Sequence, residues 1–590
     1  MVGRCWSIWS TPISSWSRST ADGAGIATIR SSLASSARAC ATPTRGRLLA
    51  LHARAAAWYE RTGVLDEAIA HAQAAGDHAD TARLIERGAD AMLARGEVQT
   101  VHGWIAALPA GIIRARPRLC CALAWMLLLM NRVADADGYV DAAAALPCDG
   151  DADDEELSGE IVALRATCAA LRGDRARVVD LAEQLRQGLP MDRTRDPDLR
   201  AVRAFTLGGV YAMGDDLDAA DRAFGEAFTL SRAAGNGVMA VIAACNRADV
   251  RLQQGRLRAA AATCYEALRL SMRRDGRLMP LAGGPHVYLS GLAYEWNDLD
   301  GARRHAENGI ALCREWGNAL FLVVGHLALA RALQGRGDRL AAHATLDAAV
   351  DLMEGHDVAR ARPLLAVASA RLWLMEGDPD AAERGLMDAG WGEATGWEDA
   401  HDALCLSVAH VRLAQGRGGE IIGEVERRLA AARAVGRMGA VVESLLVLAL
   451  ISASHDDVPA ALIAIDEALT LGARHGYRRL FLDEGAPLAT LLGQLRLRRA
   501  TAGYAATLLT ALGNSVAADE SLRRPMREPL SAREHDVLRL IAAGQSTDEI
   551  AGRLFIAVST VKSHIHHLLD KLDARNRTAA VARARDHGLL

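Results

Sequence analysis

From Leu48 onward, apolar positions along this chain recur at helical spacing in runs of ten to twenty residues, many of them closed by glycine. Leu51-His52-Ala53-Arg54-Ala55-Ala56-Ala57-Trp58-Tyr59-Glu60 keeps the 3.6-residue period until Gly63 breaks it. The next run passes through Ala68, Ala72 and Ala75 and stops at Gly76-Asp77. Further helices are predicted over Ala79 to Arg87 and before Leu108-Pro109. The pattern predicts helical hairpin after helical hairpin. The longest apolar run, Cys120 to Met130, is shorter than the roughly 18 residues of a membrane span and predicts a buried helix.

Further along, the punctuation becomes periodic. Gly214-Asp215-Asp216-Leu217-Asp218-Ala219-Ala220 recurs as Gly255-Arg256-Leu257-Arg258-Ala259-Ala260, as Trp296-Asn297-Asp298-Leu299-Asp300-Gly301-Ala302 and as Gly337-Asp338-Arg339-Leu340-Ala341-Ala342. The leucines at 217, 257, 299 and 340 step by 40, 42 and 41 residues. Gly377-Asp378-Pro379-Asp380-Ala381-Ala382 keeps the phase, and Gly173-Asp174-Arg175-Ala176 is a weaker, earlier copy. Glycine suits the left-handed residue that ends the first helix. Asp or Asn caps the second. The alanines let the two helices approach closely. A single hairpin cannot bury its apolar face, so neighbours are expected to stack into a superhelix with a concave binding wall.

Composition narrows the chemistry. The net charge is −4, so any contact with nucleic acid must be local. Lysine stands only at 562 and 571, and neither follows glycine, so no phosphate-cradling Gly-Lys-Ser/Thr loop is expected on this chain. The ten cysteines form no Cys-x-x-Cys pair and are expected to be reduced core residues of a cytoplasmic protein. Residues 1–46 are rich in Ser and Trp and lack periodicity, which predicts a disordered or atypical extension. Trp58, Trp104 and Trp125 are expected in the helical core. No serine elbow and no acid–base pair stands out, so neither an enzyme nor a cofactor is expected.

The last sixty residues carry the sharpest motif. Ser531-x-x-Glu534 and Ser546-x-x-Glu549 are two capping boxes, each opening a short helix. A third helix, from about Val558 to Leu572, sets Val561, Ile565, Leu568, Leu569 and Leu572 on its buried stripe. That phase leaves Ser559, Thr560, Lys562, Ser563, His566 and His567 outside, as a recognition helix in a DNA major groove requires. Asn576 caps a fourth helix, with Arg575 and Arg577 beside it and placed to clamp the DNA backbone. Residues 530–590 carry nine Lys/Arg against seven Asp/Glu, so groove fit and dimerisation must carry much of the binding. Histidines 564, 566 and 567 do not make a metal site, because adjacent helical positions diverge and no Cys or carboxylate joins them. Residues 513–529, with Gly513, Asn514, Ser515, Pro525 and Pro529, predict a polar linker.

The hairpins resemble tetratricopeptide repeats of unusual length. Leu51-His52 through Trp58-Tyr59-Glu60, His71-Ala72, Ala75-Gly76-Asp77, Ala106-Ala107-Leu108-Pro109 and Arg116-Pro117-Arg118-Leu119 add to this. With the C-terminal unit, they resemble the MalT-like large regulators of the LuxR superfamily. The resemblance implies an all-α protein: a tetratricopeptide-like superhelix followed by a four-helix LuxR-type helix-turn-helix domain. It divides the chain into the extension 1–46, helical hairpins 47–160, repeats 161–512, the linker 513–529 and the DNA-binding unit 530–590. It implies binding of double-stranded DNA as a homodimer, controlled by an effector or partner held in the repeats. Lys562, Ser563 and His566 would meet the groove, and Thr560 and Lys562 the phosphates. The family's preceding ATPase is not expected on this chain, and where the family places Ser or Thr before the third helix, Ala557 stands. With Ser559 capping instead, a shorter third helix is expected. The alternative to a regulator is a helical-repeat scaffold with a vestigial DNA unit.

Overall fold

The computed structural model describes residues 43–94, 96–146, 152–188, 197–273, 276–354, 358, 361–388, 402–494, 499–523, 530–542, 545–554 and 556–571, with positions 577, 580, 581 and 584. Among these the chain is helical, and the only extended pairing is one isolated bridge, Met272–Leu278. Two compact units divide at residue 195. The expected boundary at 160/161 instead falls inside an unbroken helix, Ala152–Arg172. Helix begins at Pro43, whose fixed φ suits a first turn, so 43–46 are ordered; residues 1–42 lie outside the described residues.

The first unit stacks short helices around Ile69, Leu84, Ile85, Met92, Ile105, Leu119, Met126 and Leu164. Gly63 and Gly76 close its first two helices with φ of 79° and 72°, a conformation costly to any residue with a Cβ. The apolar run becomes the helix Pro117–Leu129, which opens on its proline and is buried on almost every side. Cys120 and Cys121 lie inside it, and burial pushes the Cys120 thiol up to about 11. Trp104 and Trp125 pack against this core. Trp58 does not: it is 52% exposed, because the helix Pro43–Thr62 turns Ala56 inward instead.

The second unit carries the periodic hairpins. Asp216, Asp298 and Asp457 accept hydrogen bonds from the backbone amides three residues on, at 2.9 to 3.1 Å. Asp338 and Asp378 repeat the contact at 3.2 and 2.8 Å. The expected left-handed glycine holds at Gly255, Gly337 and Gly377. In two copies the role passes to the next residue: Asp215 and Asn297 take φ of 63°, which short polar side chains tolerate. Ala220, Ala260, Ala302, Ala342 and Ala382 are fully buried at the crossing points, where any larger side chain would push the helices apart.

Late repeats of this unit return to early ones. Arg437 donates to Asp215 at 2.8 Å, His475 Nδ1 meets the Gly255 carbonyl at 3.0 Å, and Arg478 N donates to the Glu295 carbonyl at 3.0 Å. One core therefore joins Leu257, Leu289 and Leu292 to Leu445, Leu446, Phe481 and Leu508. Beside it the Tyr294 hydroxyl donates to Asp483 at 3.0 Å, Arg479 pairs with Asp483 at 2.6 Å, and Arg371 reaches Glu443. His410 meets Glu484 at 2.8 Å; burial alone would lower its pKa, but the carboxylate outweighs burial and raises it. Leu508 and Leu512, buried in the helix Arg499–Arg523, anchor that helix on the same core. This anchoring corrects the expected linker: 513–523 are helical despite Gly513, and the helix stops two residues before Pro525. Residues 524–529 lie outside the described residues.

Candidate nucleic-acid interface

Three described helices build the C-terminal unit: α1 (Ala532–Ala542), α2 (Thr547–Leu554) and α3 (Val558–Lys571). Each capping box closes reciprocally. Ser531 N donates to Glu534 Oε2 at 2.7 Å, and Glu534 N donates back to Ser531 Oγ at 3.3 Å. Ser546 and Glu549 repeat the exchange at 2.7 and 3.4 Å. Glu534 does more than cap. Its carboxylate also takes Lys571 Nζ at 3.0 Å, joining the start of α1 to the end of α3. Burial tends to raise its pKa, but the Ser531 amide and hydroxyl, with Lys571, hold it below the usual carboxylate range. Arg533 donates to the Leu554 carbonyl at 3.1 Å and so satisfies the last turn of α2.

The core lies where the apolar stripes converge. Val537, Leu538, Ile541, Ile550, Ala551, Val561, Ile565 and Leu568 are buried, with Ala580 and Ala584 packed beneath. Leu569 is half-buried, and Leu572 lies outside the described residues. With that face of α3 fixed inward, Ser559, Thr560, Lys562, Ser563, His566 and His567 all stand exposed. Helical geometry sets Ser559, Lys562, Ser563 and His566 on one flank and Thr560 and His567 around the curve from it. Six hydrogen-bonding side chains thus share one outward surface about two and a half turns long.

Two candidate residues stand differently. Arg577 is half-buried, and its Nη2 donates to Thr547 Oγ1 at 2.5 Å, which ties it to the start of α2. Arg575 lies outside the described residues. The shortened third helix is also corrected. The Ala557 carbonyl accepts from Thr560 N at 2.9 Å and Val561 N at 3.1 Å, so α3 starts at Val558 although its first residue has no side-chain cap. Val561, clamped in the core, holds the first turn where a cap would otherwise do so. The roles of Lys571, Arg533 and Thr547 were not foreseen from sequence. The one available signal was Lys571 itself, a second lysine in a chain whose other basic residues are arginine. Among the described residues, no group of three or more His, Cys, Asp or Glu is arranged to hold a metal ion, and no helix is long and apolar enough to cross a membrane.

Against known families, residues 159–498 match the MalT-like TPR region, and residues 528–584 match the bacterial regulatory proteins of the luxR family. Similar curated proteins include the HTH-type transcriptional regulators MalT of Yersinia enterocolitica and Cronobacter sakazakii. They are 26% identical over 568 residues and 27% identical over 571. In both cases the match takes in 90% of this chain, which spans only 61% of the relative's length. Among solved structures, a Rap protein complexed with Competence and Sporulation Factor matches 61% of this chain and 98% of its own, with a TM-score of 0.48 and 11% identity.

Proposed function

The chain belongs to the family of the MalT-like TPR region, and from that premise we propose that it is a DNA-binding transcriptional regulator whose repeats control its C-terminal unit. One observation carries the reading: α3 buries Val561, Ile565 and Leu568 while six polar side chains remain open on its other faces. A helix about 10–12 Å across with such a face fits a B-DNA major groove. In this reading Lys562 reaches guanine O6/N7 or a nearby phosphate. Ser559, Ser563 and His566 offer hydrogen bonds to base edges, and Thr560 and His567 hold register on the backbone. Arg575 and Arg577 are proposed as backbone contacts; Arg577 acts first by bracing the start of α2 through Thr547.

The small positive charge of residues 530–590 favours binding as a pair on an inverted repeat, because one unit alone gains little from counterion release. An effector or partner in the repeats sets whether the unit engages DNA. The protein works in the cytoplasm without a cofactor and is not an enzyme. The test is a gel shift of the full chain on DNA selected from a random pool, alongside the promoter beside its own gene. The expected result is a sequence-specific complex that Lys562→Ala plus His566→Ala weakens by roughly tenfold to a thousandfold. A wild-type chain that selects no sequence, or a double variant that binds as wild type does, would overturn the reading.

A further inference from the structure

The turn between the helices Gly237–Gln253 and Leu257–Leu270 gathers three arginines around one carboxylate. Asp221, on the preceding helix Leu217–Ala234, receives three arginines. Arg247 Nε and Arg251 Nε each reach its Oδ1 at 2.8 Å, and Arg256 Nη1 reaches Oδ2 at 3.1 Å. Exposure grades the four side chains into a basin: Asp221 and Arg251 at 13% and 14% form the floor, Arg247 at 26% a wall, and Arg256 at 48% the rim. Neighbouring Asp218 is engaged by Gln254 at 2.8 Å.

The donors are unequally spent. Arg251 also gives Nη1 to Thr263 Oγ1 at 2.6 Å and to the Ala259 carbonyl at 3.3 Å. Among the described residues, Arg247 gives only Nε, to Asp221, and Arg256 adds only a 3.3 Å contact with Gln254. Burial, with Arg247 and Arg256 alongside, holds the Arg251 guanidinium below the usual arginine range despite Asp221. Gly225 makes the arrangement possible. The Arg247 guanidinium lies close against it, and a Cβ there would stand 2.8 Å from Cζ and 2.9 Å from Nη2.

We propose that this basin binds a compact oxyanion, the phosphate or carboxylate group of a small-molecule effector, between Arg247 and Arg256 above Asp221. Guanidinium forks match such groups two bonds at a time, and a third cation beneath raises the attraction without filling the space. The proposal gives the effector of the repeats a chemical class and rests on the sensing half of the reading above. It does not depend on DNA binding.

The test is calorimetric titration of the full chain at constant ionic strength with inorganic phosphate, phenyl phosphate and acetate. Saturable binding of at least one is expected. Arg247→Gln or Arg256→Gln should each weaken it by roughly tenfold or more, and Asp221→Asn should tighten it by removing the competing carboxylate. Phenyl phosphate binding above inorganic phosphate identifies an ester ligand, equal binding the free ion, and acetate alone a carboxylate; each supports the basin. No saturable heat with any of the three overturns it, as does unchanged binding when Arg247→Gln and Arg256→Gln are combined. Arg256 stands at the exposed rim, so Arg256→Gln alone keeps the test valid if Arg247→Gln fails to fold. Because no DNA is present, failure here leaves operator binding intact, and failure of the gel shift leaves this result intact.

Discussion

Removing the Glu534 carboxylate should unlock the C-terminal unit more than loss of a helix cap alone would. Glu534 is only 4% exposed and accepts from the Ser531 amide at 2.7 Å, the Ser531 hydroxyl at 2.8 Å and Lys571 at 3.0 Å. In Glu534→Ala the lost cap costs about 1 kcal/mol. Taking away one side of a buried ion pair costs about 3–5 kcal/mol, and the 22% exposure of Lys571 trims that to about 2–3 kcal/mol. The sum, about 3–4 kcal/mol, approaches the roughly 5 kcal/mol that a unit of some sixty residues can hold. Hydrogen exchange on the full chain reads this directly. Peptides from α1 and α3 should lose protection by two to three powers of ten, while peptides from the repeats keep theirs. Lys571→Met added to Glu534→Gln should recover part of the loss, since no buried charge is then left alone. Unchanged exchange in Glu534→Ala, or strictly additive losses in the pair, would refute the argument. The pH dependence has a fixed sign. The folded pKa of Glu534 lies below its unfolded value, so its contribution is present above the unfolded pKa and is lost as pH falls through the folded one.

Three further outcomes are expected. If Lys562 meets a phosphate, Lys562→Ala lowers the slope of log affinity against log salt by about 1 unit while leaving sequence preference in place; a base contact would relax that preference instead. His286 and His305 meet at 2.9 Å, and burial with the neighbouring His305 lowers His286 to about 4. Because the folded pKa is depressed, the unfolded chain takes up more protons, so stability should fall between about pH 6.5 and 4; His286→Gln should flatten that slope in thermal melts. Cys245, Cys264 and Cys313 are buried thiols, with burial raising Cys264 and Cys313 to about 12, so alkylation at pH 8 should spare all three until denaturant is added.

Local rules made much of this fold legible. The capping boxes at Ser531 and Ser546, the alanine pairs and the polar turn residues act within four positions of themselves, and each formed the contact its spacing implied. The outward flank of α3 followed from the phase of Val561, Ile565 and Leu568 alone. What sequence hid depends on distant partners. Gly513 reads as a helix breaker, yet its cost, about 1 kcal/mol against Ala, is small beside the burial of Leu508 and Leu512 in a core assembled elsewhere. Trp58 carries the period of a core residue, but Ala56 takes the inner position, and the helix shows its tryptophan to solvent. The contact of Arg577 with Thr547 was hidden as well, because its partner lies thirty residues upstream.

The return of late repeats to early ones changes how the second unit should behave. A stacked array sums the stabilities of its repeats and their nearest neighbours, and it can fray from either end. Here Asp215 and Arg437, Gly255 and His475, and Tyr294 and Asp483 join positions about 190 to 220 residues apart. The closing segment is anchored by Phe481, fully buried against Gly472, where a Cβ would stand 2.5 Å from its ring. Truncating Phe481 to Ala should therefore cost about 3–5 kcal/mol and weaken early and late repeats together. A unit closed in this way has fewer partly unfolded states. On the proposed function, such two-state behaviour would let the repeats pass binding energy to the C-terminal unit, because an array that yields locally would absorb it.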